Sequence, residues 1–497
     1  MSTIAHKIFN QANNNPAKIA IYCDENSINY RQLADMVSGW SVSMQEQGVK
    51  YGDHIAVLLP NCIEYIALML VAANNGLVLV PLNIALPIEA IYQAFITANV
   101  KHVVATANIL KLLDSKIPIA DDSLWISLDE KYNNAILLID LIGEAQTNFK
   151  SEGQDNAPFI LTMTSGSTGN PKPITLEQQT KLARANSAIE IYKISNIDIT
   201  LVATPLYHSL AERLVLIALL TGGTAVLMPR FSPSEWIRIV EEKQVSFTIA
   251  VSSQLSQIAN HIDKVKSIDS LRCVVSSSAL LELKIKERLI TKLNCEFHEC
   301  YGTSEIAIAT NLTAKDATFK LKSVGKAISN VEIGILTDNG TIAGVNEVGE
   351  IICKTPMLFS GYYGQPKLTN DAIFDDYFCT GDIGRIDEDG FLYFLGRKKE
   401  IIISGGINIY PADIESVIIE YDLVQENAVF PFPDDKLGEI VAVAIVPKEQ
   451  FNLRTLRLLC AERLADYQQP RKFFIVEKLP KNSLGKIMKH QLISTYT

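Results

Sequence analysis

Apolar and polar positions follow two periods along this chain, and their order predicts its architecture. Leu33, Met36, Val37, Trp40 and Met44 fall at helical spacing and predict a helix over residues 31–47, ending at Gly48. Short apolar, β-branched runs at 19–23, 53–59, 78–81, 102–105 and 123–127 predict strands, with helices over 5–15, 62–74 and 87–98 among them. The alternation resumes with strands at 199–203, 225–228, 247–251 and 271–276 and helices at 181–192, 208–220, 236–242 and 255–262. Strands that alternate with helices imply largely parallel, doubly wound α/β sheets. From about Ser323 the texture changes to glycine-punctuated short strands at 331–336, 349–354 and 391–395, which predict an antiparallel sheet or small barrel. After Arg397 comes an α+β segment with helices at 411–420 and 453–465 and strands near 424–430, 439–446 and 472–476. The expected organisation is an N-terminal domain over 1–397 and a C-terminal domain over 398–497.

Composition narrows the class. With 48% hydrophobic and 20% charged residues in 497, the chain can bury large cores and is not a disordered protein. Its net charge of −10 disfavours nucleic acid as the main partner. The last hundred residues are charge-neutral, but residues 471–497 hold six basic side chains against Glu477 alone, a surface suited to an anionic ligand. The eight cysteines contain no C-x-x-C, and His298 with Cys300 is too small a set for a metal site. The uncharged runs at 65–88 and 214–229 are broken by Asn74-Asn75-Gly76, Pro81 and Pro87, and by Gly222-Gly223, so neither reads as a membrane span. A soluble cytoplasmic protein with reduced thiols is the expectation.

Residues 162–172 organise the remaining chemistry. An apolar run leads in at 158–163 and a β-prone run leaves at 173–176. Between them Thr164, Ser165, Gly166, Ser167, Thr168, Gly169 and Lys172 can turn hydroxyls, backbone N–H groups and an ammonium toward one anion. A Walker A loop would need a second glycine at Pro171, a Ser or Thr at Pro173 and a following helix. The sequence therefore reads as a phosphate loop between two strands; a polar surface turn is the plainer alternative.

Five further stretches line up with this loop. In Cys300-Tyr301-Gly302-Thr303-Ser304-Glu305, Tyr301 can stack on a base, Gly302 permits close approach to a ligand, Thr303 can bond a phosphate and Glu305 can hold Mg²⁺. A turn entering a helix with Glu305 in its first turn explains the same residues. Asp382 follows Thr380-Gly381 and can accept ribose hydroxyls, or be a turn aspartate. Arg397-Lys398 joins the two blocks, Ser404-Gly405-Gly406 precedes a helix, and Lys486 lies in a loop beside the C-terminus.

These motifs, in this order and spacing, resemble the adenylate-forming (ANL) superfamily of acyl-CoA synthetases, adenylation domains and firefly-type luciferases. The resemblance runs from Asn29-Tyr-Arg-Gln-Leu33 through Tyr51-Gly52-Asp53, Leu59-Pro-Asn61 and Val80-Pro-Leu-Asn83 to Gly485-Lys486. It implies that a carboxylate attacks the α-phosphate of Mg·ATP, and that a thiol then attacks the acyl-adenylate and expels AMP. By resemblance, the loop over 164–172 grips the β- and γ-phosphates, Thr303 contacts the α-phosphate and Glu305 the Mg²⁺. Asp382 and Arg397 bind ribose, Lys486 bridges carboxylate, α-phosphate and ribose, and Lys398 is the hinge of a mobile C-terminal domain. Rotation there would bring Ser404, Gly405 and Gly406 to the thiol channel. His208 resembles an aromatic position that gates the carboxylate; its imidazole, if protonated, would also screen that charge.

The sequence departs from the family in two places. Residues 275–281 stand where a Gly/Ala-Pro turn against adenine is usual, with Ser277 for glycine and Leu280 for proline, so a looser turn is expected around Ser278 and Ala279. Glu212 and Arg213 occupy a helix that is mostly apolar in the family. They form a local ion pair or are helix-start charges, or one of them meets a polar group on the acid. Ile306 and Ala307 are apolar pocket candidates, and the segment around His208 lacks the aspartate that holds an amino acid's α-amino group. A fatty or aromatic acid with CoA as acceptor is the leading expectation. A carrier-protein phosphopantetheine, a luciferase-like oxygenase and a non-catalytic nucleotide binder are the rivals.

Overall fold

The computed structural model describes residues 3–117, 122–141, 151–164, 172–262, 268–482 and 485–497. Its contacts divide the chain into two compact units. The first comprises 1–309, 328–330 and 355–371; the second comprises 310–327, 331–354 and 372–497. The sequence-based boundary at Arg397 falls inside the second unit, which takes the glycine-punctuated strands together with the last hundred residues.

The first unit is built on two helix-connected, mostly parallel sheets. One runs in the order Glu296–Tyr301, Cys273–Ser277, Phe247–Val251, Ile199–Val202, Thr224–Leu227, Ile19–Cys23, with Asn26–Asn29 antiparallel at its edge. The other runs Lys172–Glu177, Pro158–Thr164, Val78–Pro81, His54–Leu58, His102–Ala105, Trp125–Ser127, Ile136–Leu137. Strands in the middle of these sheets are buried on both faces, which is why they read as continuous apolar runs. Helix ends follow local chemistry. Asn29 Oδ1 accepts from the Gln32 amide at 2.8 Å while Gln32 Oε1 accepts from the Asn29 amide at 3.0 Å, a capping box that starts helix Tyr30–Glu46. Gly222, at φ 75°, closes helix Ser209–Thr221 in the left-handed region.

The second unit contains two antiparallel-based sheets. The first joins Glu332–Leu336, Gly349–Lys354, Tyr377–Ile386, Ile373–Phe374 and Leu392–Arg397. The second joins Ile407–Ile409, Ile402–Ser404, Gly438–Pro447 and Val424–Asp434, with Lys472–Ile475 parallel to Gly438–Pro447. Side chains alternate across this sheet. Val429, Val441 and Val443 pack with Ile414 and Leu456 of helices Pro411–Ile418 and Leu453–Arg463. Ala428, Phe430, Ala442 and Ala444 face Leu492 of helix Lys489–Tyr496.

Candidate active site

Pro158–Thr164 and Lys172–Glu177 pair antiparallel with Thr164 opposite Lys172. The expected loop is thus closed by two strands and is not a strand–loop–helix. Ser165, Gly166, Ser167, Thr168 and Gly169 lie outside the described residues. On the far side of Lys172–Glu177, Gly361–Tyr362 pairs antiparallel, with Tyr362 opposite Ile174. Tyr362 then meets two expected site residues. Lys172 Nζ lies 5.9 Å from the centre of its ring, and its hydroxyl donates to Glu305 Oε1 at 3.1 Å. Lys172 and Glu305, the lysine and the carboxylate expected to face phosphate and metal, are 133 positions apart in the chain and meet the same tyrosine.

Glu305 sits in a turn, not the first turn of a helix, and the chain continues extended into strand Thr310–Thr313. The Glu305 amide donates to Thr303 Oγ1 at 3.3 Å, and the Ala307 amide to the Thr303 carbonyl at 2.9 Å. A Cβ on Gly302 would lie 1.6 Å from the Ala307 carbonyl oxygen, so what approaches Gly302 closely here is the chain itself. Ala307 is held at φ 61°, and Ile306 and Ala307 are both buried. Tyr301, which ends its strand, is buried too.

The turn is held from below by Arg184, on helix Gln178–Ile191. Arg184 is only 2% exposed, and its Nε, Nη1 and Nη2 donate to the carbonyls of Met357 (3.0 Å), Ser304 (3.0 Å) and Glu305 (2.6 Å). Burial first, then the neighbouring Arg213, lowers its pKa to about 9, so it stays charged at neutral pH. Sequence reading missed Arg184 because a lone arginine in a helix looks like a solvated one. Its only signal was the set of carbonyls it binds, which are distant in sequence.

Ser278 adopts φ 77° between Ser277, which ends strand Cys273–Ser277, and Ala279. The chain thus changes direction with serine in a left-handed conformation that glycine adopts more readily. Ser252 Oγ donates to the Ala279 carbonyl at 2.5 Å, and the Leu281 amide donates to Glu299 Oε1 at 3.0 Å. Glu299 is itself paired in the interior with Lys286. These anchors replace the stiffness that Leu280 lacks relative to proline.

His208 is the N-cap residue of helix Ser209–Thr221, its ring 4.4 Å from that of Tyr207. Burial pushes its pKa down to about 4. The imidazole is therefore neutral at pH 7, which corrects the expectation that it screens a carboxylate as a cation. The local ion pair expected between Glu212 and Arg213 is not made. Glu212, fully buried, pairs instead with Lys181 Nζ at 2.5 Å across to helix Gln178–Ile191. His298 is grouped with Cys273 and Glu296, whose ligand atoms lie within 4.8 Å of one another, rather than with Cys300.

In the second unit Asp382 stands in strand Tyr377–Ile386 directly opposite Arg397, and Arg397 Nε lies 2.9 Å from Asp382 Oδ1. Asp382 is 2% exposed and Arg397 39%, so the carboxylate is sunk and the guanidinium open. The Lys486 amide donates to Asn482 Oδ1 at 2.9 Å and its carbonyl accepts from the Asn482 amide at 2.9 Å. The residue is exposed, yet surrounding protein and then Arg397 hold its pKa below the ordinary lysine value, while Glu400 and Asp382 oppose them. Lys486, Asp382 and Arg397 thus share one electrostatic neighbourhood. Lys398 Nζ is 2.7 Å from Glu350 Oε2, and Glu350 Oε1 accepts from the Gly381 amide at 3.0 Å. That carboxylate ties the expected hinge to the residue before Asp382. Gly405 and Gly406, at φ 59° and 82°, form the two-residue turn between Ile402–Ser404 and Ile407–Ile409, a geometry that favours glycine at both positions.

Lys172 and Glu305 at one tyrosine in the first unit, and a sunken Asp382–Arg397 pair with Lys486 in the second, are residues expected of an ATP-dependent, adenylate-forming enzyme. The AMP-binding enzyme family model matches residues 8–363, and the AMP-binding enzyme C-terminal domain model matches residues 413–486. The chain belongs to this family and is an AMP-forming acid–thiol ligase. It is 31% identical over 485 residues to the long-chain-fatty-acid–CoA ligase FadD13 of Mycobacterium tuberculosis, covering 94% of this chain and 93% of that one. It is 30% identical over 504 residues to the indoleacetate–CoA ligase of Aromatoleum aromaticum, covering 97% and 96%. Its structure resembles that of O-succinylbenzoate coenzyme A synthetase (MenE) from Bacillus subtilis in complex with ATP and magnesium ion, with a TM-score of 0.88, 26% identity and 99% of each chain covered. Among the described residues no helix is long and apolar enough to cross a membrane.

Proposed function

We propose that this chain couples a fatty or aryl carboxylic acid to CoA through an acyl-adenylate, with the residues above in the following roles. The convergence of Lys172 and Glu305 on Tyr362 carries the reading, because it sets a cation and a hard oxygen donor side by side where a triphosphate with its metal needs both. Glu305 is the oxygen donor that suits Mg²⁺, which would supply charge neutralisation on the phosphates, and the Thr303 hydroxyl contacts the α-phosphate. Residues 164–172 hold the β- and γ-phosphates, and the turn over 277–281 lies against adenine. Asp382 and Arg397 hold the ribose hydroxyls.

A carboxylate oxygen of the acid attacks the α-phosphorus, the bond to the bridging oxygen breaks, and pyrophosphate leaves. Lys486 neutralises the approaching charges and positions them, which is most of what this step requires. His208 shapes the carboxylate's path as a neutral ring. The CoA thiolate then attacks the acyl carbonyl, and AMP leaves with the electrons of the broken acyl–phosphate bond. The Gly405–Gly406 turn leaves room for the pantetheine, and Lys398 is the pivot by which 398–497 withdraws Lys486 between the steps. The eight unpaired cysteines support a cytoplasmic setting. The acids in the relatives' names differ too much to choose one.

The test is ATP–pyrophosphate exchange across fatty, aryl and amino acids, with Lys486→Ala alongside, followed by CoA or a carrier protein as acceptor. Exchange with an acid, lost in the variant, and a thioester on CoA are expected. Mg·ATP binding without exchange for any acid would overturn the reading, and a thioester on the carrier alone would move the acceptor.

A further inference from the structure

Helix Ser209–Thr221 carries two adjacent charges into the interior, and among the described residues only one of them has an ionic partner. Glu212 is paired with Lys181. Arg184, close enough to repel Arg213, has its donors on three carbonyls. Arg213 is 8% exposed, and its Nε and Nη1 meet no acceptor among the described residues. A guanidinium does not shed its proton, so this is a buried cation with unused donors, a costly arrangement unless an anion joins it. The groups that face it do not supply one. Burial raises the pKa of both the Tyr192 hydroxyl and the Cys300 thiol, which leaves them neutral at pH 7. Lys181 and Glu212 offset each other, and the Glu305 carboxylate acts on Arg184, whereas no carboxylate among the described residues acts on Arg213.

The position of Arg213 indicates where the anion comes from. Cys300 is the penultimate residue of strand Glu296–Tyr301, next to the turn that carries Thr303 and Glu305, and Ser277 ends the neighbouring parallel strand. Ligands of parallel sheets lie off the C-terminal ends of the strands. Arg213 follows His208 by five positions, about 7.5 Å further along the helix axis. We propose that Arg213 receives a second carboxylate on the acid substrate, several atoms from the one that is adenylated. The substrate class is therefore a dicarboxylic acid. This rests on the adenylation reading above and narrows it.

Matched acids test it: hexanoate against adipate, octanoate against suberate, and 3-phenylpropanoate against its ring-carboxylated analogue. ATP–pyrophosphate exchange is measured for the wild type, Arg213→Met and Arg213→Lys, with kcat and KM resolved. The wild type should favour the diacid of at least one pair by about 100-fold or more in kcat/KM, mainly through KM, because a site built for a polar group rejects the analogue that lacks it. Arg213→Met should reverse the preference and Arg213→Lys restore part of it. A monoacid preference in every pair, or a diacid preference that survives in Arg213→Met, would overturn the proposal. If Arg213→Met does not fold, the wild-type preference alone decides. Exchange with monoacids only would remove this proposal and leave adenylation standing, whereas no exchange with any acid would remove both.

Discussion

Arg184 offers the most direct test of how the site is held together. In Arg184→Met the side chain keeps much of its bulk but loses three bonds, of 3.0, 3.0 and 2.6 Å, to the carbonyls of Met357, Ser304 and Glu305. Charge-assisted bonds contribute about 1.5–3 kcal/mol each, but removing the cation also removes its own desolvation penalty. The net loss expected is about 2–5 kcal/mol, because three neutral carbonyls are left short of a donor while the buried charge itself is gone. The damage is directed, because the three carbonyls bracket both the Glu305 turn and the approach to Tyr362. Thermal unfolding should therefore fall by several degrees, and the KM for Mg·ATP in pyrophosphate exchange should rise at temperatures where the variant is still folded. Arg184→Lys, with charge but no planar fork, should fall between the two. A variant with wild-type melting and wild-type exchange would refute the claim that this guanidinium holds the turn.

Two other outcomes follow from the same geometry. Gly302→Ala would place its Cβ 1.6 Å from the Ala307 carbonyl oxygen and 2.7 Å from its carbon, both backbone atoms, so the turn must shift. A stability loss of about 1–3 kcal/mol with loss of exchange is expected, and an unchanged variant would show that the loop yields freely. His208, with its pKa lowered from 6.5 to about 4, stays neutral in the folded protein over a range where the unfolded chain takes up a proton. Its contribution to stability is complete above pH 6.5 and is lost as pH falls toward 4; between pH 7 and 5 the loss is about 2 kcal/mol. Urea unfolding of His208→Gln should show a drop between those two values that is smaller by this amount, and equal drops in the two proteins would contradict the assignment.

What was legible in the sequence was whatever depends on neighbours along the chain. The alternation of strands and helices, the helix end at Gly48, and the two strands either side of 164–172 are set by local periodicity, end chemistry and proline placement. Elements that such signals serve poorly were read less well. Tyr377–Ile386 is one long strand, but its Thr380-Gly381-Asp382 reads as a turn because Gly381 sits in it at φ 70°. Helix Leu283–Lys292 buries only Lys286 and Leu289, too few positions to print an apolar stripe. The order of motifs was enough to name the superfamily, because a chemistry that must grip phosphates, ribose and a metal needs those residue types whatever the fold does with them.

Only the tertiary structure decided which charges lie inside and what they hold. Lys181, Arg184, Arg213 and Lys286 look alike in the sequence, as basic residues on helices. Packing makes Lys181 and Lys286 halves of buried ion pairs, Arg184 the clamp of the Glu305 turn, and Arg213 a cation whose Nε and Nη1 meet no acceptor among the described residues. Packing also set Lys172 and Glu305 against Tyr362, a residue without a motif of its own. The physical reason is that a side chain's local preferences do not report its solvation. Whether a charge is in water, paired or stranded depends on groups on other elements, from 13 residues away for Lys286 and Glu299 to 173 for Arg184 and Met357, and those meet only when the elements pack.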